Sequence, residues 1–238
     1  MIELRQPTFF KSAVESISSF IPEGNFRFSD KGIYFRAIDP SQVVLVDYFV
    51  DKKYFDKYVV EPNFVGLDLV ELNKILARSL PNDKLLIDVG DSDLKIKFES
   101  DLRRSFKLPL IDVSADEAKL PSIDYEAKIE INSQHLKELL KDASLFSTSV
   151  VFRASDGKFF VEAKGTGGVL ESEATRVSKV FVKKEIVSKF SLNFLQNIVR
   201  HAESDKQIML ELKNDSAMHI SYFLGPAKIS YYLAHMIL

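Results

Sequence analysis

The sequence contains no cysteine and no tryptophan. Disulfide scaffolds, thiolate metal sites and cysteine nucleophiles are excluded at once, and a thiol-free chain fits a reducing compartment. Histidine is scarce: His135, His201, His219 and His235 stand far apart and share no metal-ligand spacing. No apolar run approaches the roughly 18 residues that a membrane-crossing helix needs. The opening MIELRQPTFF lacks the pattern of a secretory signal. Neither charge sign dominates. With 32 basic and 34 acidic residues the formal net charge is −2, so nothing attracts the whole chain to nucleic acid. Such binding would require cations segregated onto one surface.

What is present is apolar material. Of the 238 residues 46% are hydrophobic, enough for one large core or for two domains of about 100–120 residues each.

Taken in order, Thr8 is expected to cap a helix with the apolar face Phe9/Phe10, Ala13/Val14, Ile17 and Phe20/Ile21. A hairpin follows, in which Phe26 and Phe28 alternate with polar residues and Asp30-Lys31-Gly32 turns into Ile33-Tyr34-Phe35. Val43-Val44-Leu45-Val46 reads as a buried strand, and strand character returns through Tyr58-Val59-Val60. Asp68 then caps a second helix with Leu69, Leu72 and Ile75/Leu76 inward and Glu71, Lys74 and Arg78 outward, stopped by Pro81-Asn82-Asp83. Two more strands follow, of which Leu94–Phe98 is a clean half-buried alternation. Leu108–Tyr125, bracketed by Pro109 and Pro121 and with Asp112, Ser114, Asp116, Glu117 and Ser122 in its middle, holds neither period and reads as an extended connector.

The chain on either side of that connector repeats itself. A shift of 126 carries Phe10-Lys11 onto Leu136-Lys137, Phe26-Arg27 onto Phe152-Arg153, Ser29-Asp30 onto Ser155-Asp156 and Ala37 onto Ala163. A shift of 123 carries Leu72-Asn73-Lys74-Ile75 onto Leu195-Gln196-Asn197-Ile198. Matches that keep element order point to a duplicated α+β half, reading helix, hairpin, strands, helix, strands. The divisions expected are 1–109, a connector at 110–125, and 126–238.

Catalytic signals are poor. Gly165-Thr166-Gly167-Gly168 lacks the ending of a phosphate loop and runs into strand-like VLESEA. The carboxylates Asp91/Asp93 and Glu99/Asp101 flank strand ends, where solvated turn residues belong. Nothing pairs a nucleophile with a base, so no enzyme, metal or cofactor is expected. The helices say more. Their outward faces carry Lys11; Lys74 and Arg78; Lys137 and Lys141; and Arg200. Spacing of four places the two members of each pair on one helical face. Solvated lysines of ordinary surface helices would give this pattern. So would equivalent helices aiming cations at phosphates, with no aromatics interleaved for base stacking.

From Met1 to the C-terminus the sequence resembles the sliding clamps of the proliferating cell nuclear antigen family. The matching pieces are Ala37-Ile38-Asp39-Pro40-Ser41-Gln42-Val43-Val44-Leu45-Val46, Leu72-Asn73-Lys74-Ile75-Leu76, the connector, and Lys228-Ile229-Ser230-Tyr231-Tyr232-Leu233-Ala234. The resemblance implies a DNA clamp fold: two α+β clamp domains, each with two helices packed on antiparallel sheets, that form rings. Three chains, alike or related, would close head to tail around duplex DNA with helices inward. Such a ring would be a non-catalytic processivity factor for replication and repair. Lys11, Lys74, Lys137, Lys141 and Arg200 match basic inner positions; Arg78 stands one place beyond the matching Ala77. Ser12 and Ser18 stand where relatives often carry lysine.

The same resemblance implies a hydrophobic pocket that recruits DNA polymerase, flap endonuclease and DNA ligase, with a clamp loader as a further partner and no membrane. Its positions here are Ile38, Val43, Leu45, Ala118, Leu120, Pro121, Tyr232, Leu233 and Ala234. His235 replaces a common proline. The subunit interface would pair Arg103, Arg104, Phe106 and Leu108 with Val169, Glu171 and Glu173 of a neighbour, arginines against glutamates. The implied setting is an archaeal-type cytoplasm, at the nucleoid, or a nucleus in a eukaryote. A duplicated-domain interaction scaffold with no DNA function is the alternative, and a hydrolase has no constellation to support it.

Overall fold

The computed structural model describes residues 1–61, 63–114 and 118–238. Asp116 and Glu117 of the expected connector lie outside the described residues. By contacts the chain divides into two units. The first comprises Met1–Pro40, Val46–Ala118 and Leu224–Ile229; the second comprises Ser41–Leu45, Lys119–Phe223 and Ser230–Leu238. Each unit therefore takes a short segment from the far side of the connector.

The first unit begins with β1 (Ile2–Leu4), α1 (Thr8–Ser18), β2 (Glu23–Phe28), β3 (Gly32–Ile38) and, from Val46 onward, β4 (Val44–Asp51). It continues with β5 (Lys57–Tyr58), β6 (Asn63–Asp68), α2 (Leu69–Leu76), β7 (Lys84–Val89), β8 (Asp93–Glu99) and β9 (Arg103–Pro109). One antiparallel sheet runs β5-β1-β7-β8-β9, with β9 at its edge. A second ladder pairs β3 with β2 and β2 with β6, Phe26 lying opposite both Phe35 and Val65. Helices α1 and α2 lie side by side. They bury Phe10, Val14 and Ile17 from one and Leu69, Leu72 and Leu76 from the other. Each such side chain contributes about 1.5–3 kcal/mol when taken from water, so this apolar face, more than propensity, holds helices of 11 and 8 residues.

Two local expectations are corrected. Thr8 does not cap α1: Pro7 occupies the N-cap and no side chain bonds the first turn. The strand at Tyr58-Val59-Val60 shrinks to Lys57–Tyr58, and a separate strand, β6, starts at Asn63. Asp68, in contrast, caps α2, its carboxylate accepting the Glu71 N–H at 2.9 Å. The helix ends at Leu76, well before Pro81.

The second unit repeats the plan with β10 (Ala127–Asn132), α3 (Ser133–Ala143), β11 (Ser149–Ser155), β12 (Lys158–Gly165) and β13 (Gly168–Glu173). After these come β14 (Ser178–Val182), β15 (Ile186–Ser191), α4 (Leu192–Val199), β16 (Gln207–Leu212), β17 (Met218–Leu224) and β18 (Ala227–Leu233). β2 and β11 begin 126 residues apart, as do β3 and β12; β6/β15, α2/α4 and β7/β16 begin 123 apart. One ladder runs β14-β10-β16-β17, and a four-stranded sheet runs β13-β12-β11-β15 with β13 at its edge. The glycine cluster is the turn between β12 and β13, no phosphate loop. Among the described residues no helix is long and apolar enough to cross a membrane, and no cluster of metal-ligating side chains occurs.

Where the connector leaves the first unit, it is tied to the edge of β6. The Ile111 N–H donates to Gly66 O at 3.0 Å, and Asn25 Nδ2 donates to Val113 O and Ser114 O at 3.2 and 2.9 Å. A Cβ on Gly66 would fall 2.2 Å from Ile111 O, so this crossing requires glycine.

Candidate nucleic-acid and partner interfaces

The six expected cations are distributed over both helix pairs, and most are held by their own chain. In the first unit Lys11 is half-buried on α1. Lys74 Nζ bonds Glu71 Oε1 at 2.6 Å while its side chain stays 65% exposed. That hydrogen bond, followed by the carboxylate's charge, raises the Lys74 ammonium above its usual range. Arg78 lies in the turn after α2 and not on its face, which corrects the expected pairing with Lys74. Its carbonyl accepts from Arg104 Nη1 at 2.7 Å.

In the second unit Lys141 is bound to Glu138 Oε1 at 2.7 Å, a pair built like that of Lys74 and Glu71. Lys137 differs: its ammonium is half-buried and donates to Ala202 O at 2.6 Å. Burial, with Lys141 close by, pushes it below the usual lysine range. Arg200 closes α4 and donates to the Asn197 amide oxygen. The exposed large aromatics among the described residues, Tyr54, Phe64, Phe181 and Phe223, lie on none of the four helices. These faces offer point charges, with Phe9 and Phe194 of α1 and α4 only half-exposed. Such chemistry suits phosphates at any sequence.

The edge strands show a sharper departure. Along β9, Arg103, Ser105, Lys107 and Pro109 are exposed, whereas Arg104, Phe106 and Leu108 turn inward. Leu108 is buried, and the Phe106 ring meets Phe98 edge-on at 5.9 Å. Arg104 is held by Asp83, whose side chain is fully buried, and lies over Phe98 at 5.2 Å. Burial alone would raise the Asp83 carboxyl. Donors from the Leu80 N–H, the Ser100 hydroxyl and Arg104 outweigh it, and the net shift is downward. Arg104 is therefore committed within its own unit and is corrected as a residue free to meet a neighbour's glutamates, whereas Arg103 and Lys107 are exposed. On β13, Val169, Glu171 and Glu173 all face outward, as expected of one side of an edge strand.

The expected pocket residues fall in both units. In the first, Ile38 (45% exposed) and Ala118 line a cavity of about 390 Å³ together with Arg27, Tyr34, Arg36 and Phe64. In the second, Val43 O accepts the Ala234 N–H at 2.9 Å, Tyr232 is half-buried, and Leu120 and Pro121 are exposed. Leu45 and Leu233 are buried, Leu233 completely. Leu233 is thus core and is corrected as a pocket residue, because alternation along β18 turns it inward with Tyr231.

One group escaped the sequence reading. His219 Nδ1 lies 2.6 Å from Glu211 Oε2, Glu211 Oε1 is 2.7 Å from Lys128 Nζ, and the His219 ring stacks on Tyr232 with centroids 4.7 Å apart. The available signal was alternation: Met218 and Ile220 point to the core, so His219 must face outward.

The model of the proliferating cell nuclear antigen N-terminal domain matches residues 1–119. DNA polymerase sliding clamp 1 of Thermococcus kodakarensis is 33% identical over 221 residues, covering 90% of this chain and 89% of that protein. The DNA polymerase sliding clamp of Thermococcus gammatolerans is 32% identical over 232 residues, covering 94% and 93%. The crystal structure of PCNA from Thermococcus kodakaraensis superposes with a TM-score of 0.93 at 27% identity, covering 99% of both chains. Archaeoglobus fulgidus PCNA, solved with the C-terminal region of FEN-1 bound, gives 0.90 at 27% identity, covering 100% and 99%. With half its length matched by the family model and curated relatives aligned over nine-tenths of both chains, this chain belongs to the proliferating cell nuclear antigen family of DNA sliding clamps.

Proposed function

We propose that this chain is the protomer of a ring of three subunits that encircles duplex DNA without sequence preference and tethers replication and repair enzymes to it. The ring is a processivity factor and performs no chemistry of its own. The observation that carries the reading is the match to sliding clamps over the whole chain, in sequence and in fold. The helix-borne cations support phosphate contact through Lys11, Lys74, Lys141 and Arg200, with Lys137 and Arg78 contributing less. The open edges β9 and β13 support head-to-tail assembly, Arg103 and Lys107 of one copy meeting Glu171 and Glu173 of the next.

Partner enzymes dock through short segments with aromatic anchors. In the second unit the docking surface is Val43, Leu120, Pro121, Tyr232 and Ala234, the expected pocket residues that are exposed or half-exposed there. The C-terminal region of FEN-1 bound to the A. fulgidus protein supports FEN-1 as one such partner. DNA polymerase, DNA ligase and a clamp loader are the further partners proposed.

Two measurements test the reading. Light scattering after gel filtration should give three times the 27.1 kDa chain mass. A monomer that stays monomeric with candidate sister chains would sink the ring. Loaded clamp should then remain on closed circular DNA and leave linear DNA by its ends. Equal retention on both would mean a simple DNA binder, and none on either would favour a scaffold.

A further inference from the structure

The outer face of the second unit's sheet carries a row of polar groups that the clamp reading does not use. Register sets Lys128 opposite Glu211 and Glu211 opposite His219. Glu211 joins the row: one carboxylate oxygen takes Lys128 Nζ at 2.7 Å, the other lies 2.6 Å from His219 Nδ1. Since a carboxylate only accepts, Nδ1 carries the proton. That bond fixes the plane of the imidazole, which is only 12% exposed.

Two tyrosine rings lie nearly parallel to this plane. Tyr232 of β18 is inclined by 22° with its centroid 4.7 Å away; Tyr125, at the end of the connector, is inclined by 26° at 6.2 Å. Both separations fall within the range of favourable aromatic contact. Among the described residues the buried Tyr125 hydroxyl has no hydrogen-bond partner. The side chain is therefore oriented by packing, and the His219 ring is part of that packing. Just beyond it the connector is anchored by its backbone, Glu126 N–H to Leu212 O at 2.9 Å and Lys183 N–H to Glu126 O at 2.8 Å. The His219 ring thus lies against both the last residue of the connector and the tyrosine of the proposed docking surface.

We propose that His219 is a positioning residue whose flat ring ties the connector end at Tyr125 to Tyr232 and so sets the affinity for a partner segment. The proposal rests on the docking reading for its consequence, but not for the tie itself. An aliphatic residue would fill the space without orienting either ring. A flat ring packed between them orients both.

The test uses the assembled protein and three variants, His219→Ala, His219→Phe and His219→Gln. Phenylalanine keeps the ring contacts and leaves Glu211 its bond to Lys128; glutamine keeps a polar partner and removes the ring. The first readout is hydrogen exchange of amides 119–126 without any partner. The second is binding of a synthetic peptide of the A. fulgidus FEN-1 C-terminal region. His219→Ala and His219→Gln should speed exchange and weaken peptide binding roughly three- to tenfold, and His219→Phe should stay within about twofold of the parent in both. Parental exchange in His219→Ala, or failure of phenylalanine to restore what glutamine loses, would overturn the proposal. Should the alanine variant not fold, the phenylalanine–glutamine contrast decides alone. If the parent protein itself ignores the peptide, the docking reading fails while the exchange data still judge the tie.

Discussion

In the first unit α1 starts after Pro7 with no side-chain cap, and α2 is capped by Asp68. In the second unit the assignment is reversed: Asn132 caps α3 through the Gln134 and His135 N–H groups, and α4 follows Ser191 with no side-chain cap bond. The buried polar anchors differ as well. The first unit has Asp83 gripping Arg104, Ser100 and Leu80, whereas the residue 123 places on from Asp83 is the exposed Lys206. Duplication has kept the apolar skeleton and the register while the polar fastenings have been reassigned independently. One cap per helix pair suffices because the two helices are packed against each other, and a shared apolar interface lets one fixed start hold both.

That contrast can be broken most directly at Asp83. Asp83→Ala removes the partner of a largely buried guanidinium and should destabilise the first unit by about 3 kcal/mol. Lys206→Ala should change the second by less than about 0.5 kcal/mol. Unit-resolved hydrogen exchange in a denaturant series would check both. A pH series adds a second view. Asp83 is held below its usual range when folded, so the unfolded chain binds the extra proton. Its stabilisation is complete above the unfolded value of about 3.9 and is lost as pH falls through the folded value. Glu211 is lowered by Lys128 and His219 against its own burial, so the second unit should weaken in acid too.

The caps come next. Asp68→Ala should cost about 1 kcal/mol, measured by thermal or denaturant unfolding, while Ser191→Ala should cost less than about 0.5 kcal/mol. Equal costs would mean that capping is not divided between the helix pairs as described. At the helix faces, Lys74→Met and Lys141→Met should behave alike, because each lysine is tied to a glutamate three residues earlier. Each should lower the log–log salt slope of DNA retention by up to about 0.9 for every phosphate left without its cation. Lys137→Met should lower it less, because its ammonium already serves Ala202 O. The smallest effect is expected from Glu71→Gln and Glu138→Gln, each strengthening retention by about twofold as the neighbouring lysine is released from its tether.

Much of this was legible in the sequence where periodicity and packing agree. The two shifts found β2/β11, β3/β12 and α2/α4 because their apolar positions are copied, and the edge strand at Gly168–Glu173 carries its alternation openly. Arg104 and Leu233 were assigned to surfaces by family position, yet phase alone would have turned both inward. Arg104 keeps step with Phe106 and Leu108, and Leu233 keeps step with Tyr231. The end of α2 was not legible. The chain leaves the helix at Ala77 and turns so that the Leu80 N–H reaches Asp83, a bond that depends on a tertiary pocket and leaves no periodic trace.

The exposed side of β9 presents Arg103 and Lys107, and that of β13 presents Glu171 and Glu173. Two copies meeting through the same edge would crowd like charges, whereas unlike edges attract. In the proposed assembly such edges would work as a polarity code, giving each copy a leading and a trailing side. Any closed assembly joined in this way has all its members pointing the same way round, so its two rims cannot be alike. An enzyme arriving at one rim of such an assembly would meet a different surface from an enzyme arriving at the other, and traffic on it would acquire a direction before any partner had bound.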